Sequence, residues 1–132
     1  MRWNLRAMHA DHTEPNQTSE RTLLDVKIYA DELQIPYSYV LLDSWWYYKG
    51  PGGGIDLWEA RPDSFPDGLA AFRDKTGWPQ MLHNRYWDPA TNYSTKNGGK
   101  YHFIDDGSPV LVPDDWQFWV DLIANKTKSG TY

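Results

Sequence analysis

The chain contains no cysteine, which excludes disulfides, thiolate metal sites and a cysteine nucleophile and leaves the redox compartment open. It also lacks a basic surplus: 13 Lys and Arg stand against 18 Asp and Glu, for a formal net charge of -5. Nucleic-acid binding draws on clustered Lys and Arg and is therefore not expected. Long apolar runs are missing as well. No stretch approaches the roughly 20 residues that span a bilayer, and Met1 to Met8 lacks the apolar segment of a signal peptide, so no membrane partner is expected. His9, Asp11 and His12 lie close in sequence but without a recognisable ligand spacing, so neither a metal nor a cofactor is expected.

What the sequence has instead is rings, with 8 Trp and 9 Tyr among its 132 residues. Such side chains carry a large apolar body and one polar handle, which suits both a core and the face of a sugar. The length fits one domain able to bury roughly two thirds of the surface its unfolded form exposes. Three sequons stand at Asn16, Asn92 and Asn125; so short a motif recurs by chance and leaves export open.

Hydrophobic periodicity gives an α/β order. Leu23, Val26, Ala30 and Leu33 recur at steps of three and four and predict a helix from Thr18 to Leu33, ended by Pro36. The run from Tyr37 to Trp46 is almost continuously apolar or aromatic, as in a parallel strand covered on both faces. Gly50 to Gly54 is loop; no Gly-Lys-Ser/Thr follows it, so a phosphate cradle is not supported. Residues 64–77 predict a second helix capped by Ser64 and stopped by Gly77. Residues 78–87 predict a second strand, and 88–106 a long surface excursion. Asp114 is expected to cap a third helix with a stripe of Trp116, Trp119 and Ile123, supported by Phe118, Val120 and Leu122 and stopped near Gly130, and Thr131 and Tyr132 to begin a further strand. Alternating helices and strands predict parallel units with right-handed crossovers. Residues 1–12 are expected to be a divergent or disordered segment outside residues 13–132. Two strands and a stub would leave open sheet edges, which a closed (β/α) barrel removes, so the chain reads as part of such a barrel.

In parallel α/β architectures ligands sit at the carboxyl ends of the strands. Those ends would carry Asp43, Trp45 and Trp46 on one strand and His83, Arg85 and Trp87 on the next. An ionised Asp accepts hydrogen bonds from neighbouring sugar hydroxyls, Arg donates a planar fork, and an indole offers a platform for sugar C–H groups. The bland alternative makes the indoles core and pairs Asp43 with Arg85, because a carboxylate in so apolar a run needs a partner. Asp105, Asp106, Asp114 and Asp115 are better explained by loop polarity and capping than by acid catalysis.

Three segments carry a resemblance: Tyr39 to Trp46 (Tyr-Val-Leu-Leu-Asp-Ser-Trp-Trp), Phe65 to Leu69 (Phe-Pro-Asp-Gly-Leu), and Gly77 to Trp87 (Gly-Trp-Pro-Gln-Met-Leu-His-Asn-Arg-Tyr-Trp). In this order and spacing they resemble the second and third β/α units of the α-galactosidase-like clan of glycoside hydrolases, which includes the raffinose synthases and, more distantly, the α-glucosidases. Thr13 to Asn16 and Thr22 to Val26 are similar to secreted members of that clan. The resemblance implies a partial (β/α)8 TIM barrel of about three units, with a secreted full-length relative. Asp43, Trp45, Trp46, His83, Arg85 and Trp87 would hold an α-glycoside. The clan's retaining mechanism uses two carboxylates at positions that would fall beyond Tyr132, along with the remainder of the barrel. A fragment that binds substrate but does not hydrolyse it is the expectation; a self-contained carbohydrate-binding protein and a small α/β protein with an aromatic core are the alternatives.

Overall fold

The computed structural model describes residues 3–7 and 15–128, with side chains from 15 to 126. Its centre is a three-stranded parallel sheet of β1 (Trp3–Ala7), β2 (Tyr37–Leu42) and β5 (Gln80–Leu82), in the order β1-β2-β5. Helix α1 (Ser19–Glu32) connects β1 to β2. Between β2 and β5 come an antiparallel pair, β3 (Tyr47–Lys49) with β4 (Ile55–Ala60), and helix α2 (Gly68–Thr76). A short pair, β6 (Phe103–Ile104) with β7 (Val112–Pro113), precedes helix α3 (Trp116–Lys128). The fold is a small mixed α/β domain with parallel strands, and its sheet is open among the described residues.

The first correction concerns the N-terminus. Trp3–Ala7 is a strand paired parallel with β2 from Trp3↔Tyr37 to Ala7↔Leu42, so these residues belong to the sheet rather than to a disordered leader. Five residues are too few for periodicity to distinguish a strand from a polar tail; the pairing partner supplies the order. Residues 8–14, with His9, Asp11 and His12, and the expected strand start at Thr131 lie outside the described residues.

The second correction is the end of β2. The strand was expected to run to Trp46 but stops at Leu42, because Asp43 folds the chain over itself. Its Oδ1 accepts from Ser44 N at 2.7 Å and its carbonyl from Trp45 N at 2.9 Å, a local alternative to the sheet ladder that Asp is suited to offer. The chain then turns back as β3, and the Gly50–Gly54 loop is the tip of a hairpin that sequence reading left unassigned beyond Gly54.

That loop has a specific reason for its glycines. Asp88, almost fully buried, accepts from Gly54 N at 3.1 Å through Oδ2 and from Ala90 N at 3.0 Å through Oδ1. A Cβ on Gly54 would lie 2.6 Å from Tyr86 Cε2 and 2.7 Å from Asp88 N. The loop folds onto a carboxylate of the protein itself.

Helix α2 begins at Gly68 rather than at Ser64, with Gly77 in the left-handed conformation as its stop. Ser64 instead offers its carbonyl to Glu20 N at 2.9 Å. Buried Glu20 accepts from Asp67 N at 3.0 Å and from Lys75 Nζ at 3.0 Å, so one carboxylate ties α1 to both ends of α2. Helix α3 is capped by Asp115, not Asp114: Asp115 Oδ1 accepts from Gln117 N at 2.9 Å. Its buried face is Phe118 and Leu122, while the expected stripe of Trp116, Trp119 and Ile123 faces outward. Phe118 decides the rotation by packing edge-on against Trp87, Tyr93, Tyr101 and Phe103 at centroid distances of 4.9–5.4 Å. The 88–106 segment is part of this cluster, with Thr91 and Ser94 buried, and is not a loose surface excursion.

Candidate functional site

The carboxyl ends of β2 and β5 are adjacent, since Val40, Leu41 and Leu42 pair in register with Gln80, Met81 and Leu82. The ladder continues one residue further, where His83 N donates to Leu42 O at 2.9 Å. Asp43 and His83 therefore emerge side by side. His83 Nδ1 lies 3.9 Å from Asp43 Oδ1, close enough for charge to act but too long for a hydrogen bond. Asp43 is mostly covered, with its side chain 18% exposed, whereas that of His83 is 39% exposed.

Beyond His83 the chain leaves the sheet, so His83, Arg85 and Trp87 do not continue one strand. Arg85 is exposed and lies 5.0 Å over the Tyr86 ring; among the described residues it forms no ion pair with Asp43. Trp87 bridges to Ile55 and Leu111 and is almost fully buried in the Phe118 cluster. The other two indoles are also covered. Trp45 stacks on Phe65 at 5.6 Å, and Trp46, fully buried, meets Tyr47 edge-on at 5.2 Å. Lys126 Nζ stands 5.8 Å over the Trp46 ring and 5.4 Å over the Trp58 ring; burial holds this ammonium below its ordinary value. Of the six expected side chains, the structure gathers Asp43 and His83 closely, sets Arg85 nearby, and buries Trp45, Trp46 and Trp87 in the core.

Sequence reading missed Tyr47 and Trp58. Tyr47 is fully buried, and the Ser44 side chain is close enough to act on its hydroxyl. Burial pushes its phenol up to about 12; the charge of Arg85 opposes that rise and the charge of Asp43 adds to it, which places all three in one electrostatic neighbourhood. Trp58 donates Nε1–H to His83 O at 2.9 Å and so fixes the backbone that carries the imidazole. The signal was partial: Ile55, Asp56 and Leu57 alternate after a glycine turn, as a returning hairpin strand does, but Trp58 breaks the alternation. His83 Nδ1 is buried without a hydrogen-bond partner among the described residues. Buried polar atoms are normally paired, so this corner holds unused capacity to donate and accept beside a carboxylate.

Among the described residues no three His, Asp or Glu side chains converge as a metal ion would require. The acidic pairs are engaged structurally: Asp105 with Lys96 and Gly107 N, Asp106 with Ser108 N, and Asp114 with His102 Nδ1 at 2.6 Å.

No protein-family model matches the chain, and no curated protein matches it. Among solved structures, the chain is similar to the α-galactosidase from Lactobacillus brevis, with 15% identity, a TM-score of 0.55 and 95% of this chain covered. The match takes in 19% of that enzyme's chain, so the protein spans about a fifth of the structure it resembles. At this identity the likeness speaks for the fold: the chain has the architecture of one portion of an α-galactosidase.

Proposed function

We propose that this chain is a substrate-binding portion of an α-galactosidase-like glycoside hydrolase, in which Asp43 and His83 hold the hydroxyls of an α-glycoside and Arg85 donates from the rim. The observation that carries this reading is the juxtaposition of the Asp43 carboxylate and the part-exposed His83 ring at the carboxyl ends of two parallel strands. A carboxylate beside an imidazole and near a guanidinium matches a pair of vicinal hydroxyls, each able to donate to the carboxylate and accept from a neighbour. The covered indoles serve as the rigid floor that keeps these groups in place.

The retaining mechanism needs two carboxylates about 5–5.5 Å apart across the scissile bond. We assign Asp43 the role of holding substrate rather than of breaking the bond. The expected outcome is binding without turnover. Titration calorimetry with methyl α-galactoside and methyl α-glucoside should show saturable heat that Asp43→Asn abolishes, and an activated aryl α-galactoside should not be hydrolysed. Hydrolysis abolished by Asp43→Asn would move the catalytic role onto this chain; the absence of any sugar-dependent heat would refute the binding site.

A further inference from the structure

A groove of about 390 Å³ is lined by Tyr48, Lys49, Arg61, Pro62 and Asp63, and it lies close enough to the Asp43 corner for that carboxylate's charge to act on Lys49. It is held in shape by Arg61 N, which donates to Trp46 O at 2.9 Å and fastens the end of β4 to the start of β3. Two cations, Lys49 and Arg61, therefore share one concave surface, and a third, Arg85, stands close enough for its charge to act on Lys49. Arg61 is partly balanced by its ion pair with Asp63. Among the described residues, Lys49 and Arg85 form no ion pair with any carboxylate. This local positive field sits on a chain whose formal net charge is -5, so it is a feature of this groove and not of the surface at large.

We propose that the groove takes an anionic substituent of the bound sugar, so that the glycoside recognised here is an acidic one, with its hydroxyls on Asp43 and His83 and its carboxylate or sulfate between Lys49 and Arg61. The inference rests on the sugar-binding reading of the Asp43 corner. With Asp63 engaged by Arg61, the cations still outnumber the carboxylate lining the groove; gathered like charges raise each other's energy, and a bound anion relieves that repulsion. Consistent with this, burial, followed by the charges of Arg85 and Arg61, holds the Lys49 ammonium below its ordinary value, the direction that an anion in the groove would reverse. Arg supplies a planar fork and Lys a mobile point charge, which together suit a carboxylate or sulfate group.

The test is calorimetric titration of the full chain with four probes: methyl α-galactoside, methyl α-galacturonide, a galactose monosulfate and inorganic sulfate. The acidic sugars should bind at least about 10-fold more tightly than the neutral one, an advantage that shrinks with added salt as screened charges do. Lys49→Gln and Arg61→Gln should each remove most of the advantage while leaving the affinity for the neutral galactoside unchanged. The relative affinities of the galacturonide and the sulfated sugar identify which anion fits. Equal affinities for neutral and acidic sugars would overturn the inference and leave the binding site standing. Inorganic sulfate binding as tightly as the acidic sugars would overturn it as well, since the sugar would then contribute nothing. If neither class of sugar binds, the Asp43 reading fails and this inference falls with it.

Discussion

Two residues show how tightly local chemistry is set around the site. Gly54 passes so close to Tyr86 and to the backbone of Asp88 that a methyl group cannot enter without moving main chain. Gly54→Ala should destabilise the protein by roughly 1–3 kcal/mol, the usual cost of overpacking, read from the urea midpoint at unchanged slope. Tyr47 makes a prediction in pH. Its phenol titrates near 10 when unfolded and near 12 when folded, so the folded state keeps its proton over a range in which the unfolded state has lost it. Its contribution to stability is therefore complete below pH 10 and declines as pH rises toward about 12. Tyr93, raised to about 12 chiefly by burial, acts in the same direction. Tyr47→Phe should flatten part of the alkaline loss seen in thermal melts; an unchanged alkaline slope would show that its hydroxyl already titrates as if exposed. Asp43 was visible in the sequence because a carboxylate in an apolar run demands an explanation. Tyr47 was not, because one phenol among nine Tyr carries no mark of which hydroxyl the fold buries.

At the scale of elements, helices α1 and α2 are joined by the Glu20 carboxylate, and removing it leaves Asp67 N without an acceptor. Glu20→Ala should cost about 1–3 kcal/mol for that unsatisfied donor and should speed amide exchange at Asp67 and Gly68. Exchange unchanged at those positions would mean the latch is not what holds α2. Helix α3 depends on Phe118, which touches five other rings. Phe118→Ala should cost about 3–5 kcal/mol and release the 88–113 segment as well as the helix, detectable as lost near-ultraviolet circular dichroism. The existence of three helices and of the β2 and β5 strands was legible from periodicity and breakers. Which face of α3 turns inward was not. Trp116, Trp119 and Ile123 form as regular a stripe as Phe118 and Leu122, and only the ring cluster around Trp87 chooses between them. The boundary at Leu42 was missed for a related reason: Asp43 ends the strand through a hydrogen bond to its neighbour's backbone, a local competition that composition does not register.

For the whole molecule, the parallel order β1-β2-β5 brings Asp43 and His83 together from positions forty residues apart in sequence, and this juxtaposition was the part of the site that strand logic could reach. The indoles were read as a sugar platform because aromatic residues at strand ends fit either role; the fold spends Trp46 and Trp87 on the core because a domain this small has few other large side chains with which to fill it. Likeness to about a fifth of an α-galactosidase speaks for the fold of this chain. The central claim is that this corner binds an α-galactoside, and amide and indole NMR shifts during titration of the 132-residue protein with methyl α-galactoside test it most directly. The account predicts saturable shifts confined to residues around Asp43, Tyr47 and His83, with the Trp58 indole N–H moving through its bond to His83 O, all lost in Asp43→Asn. Shifts absent at saturating sugar, or centred elsewhere and indifferent to Asp43→Asn, would contradict it.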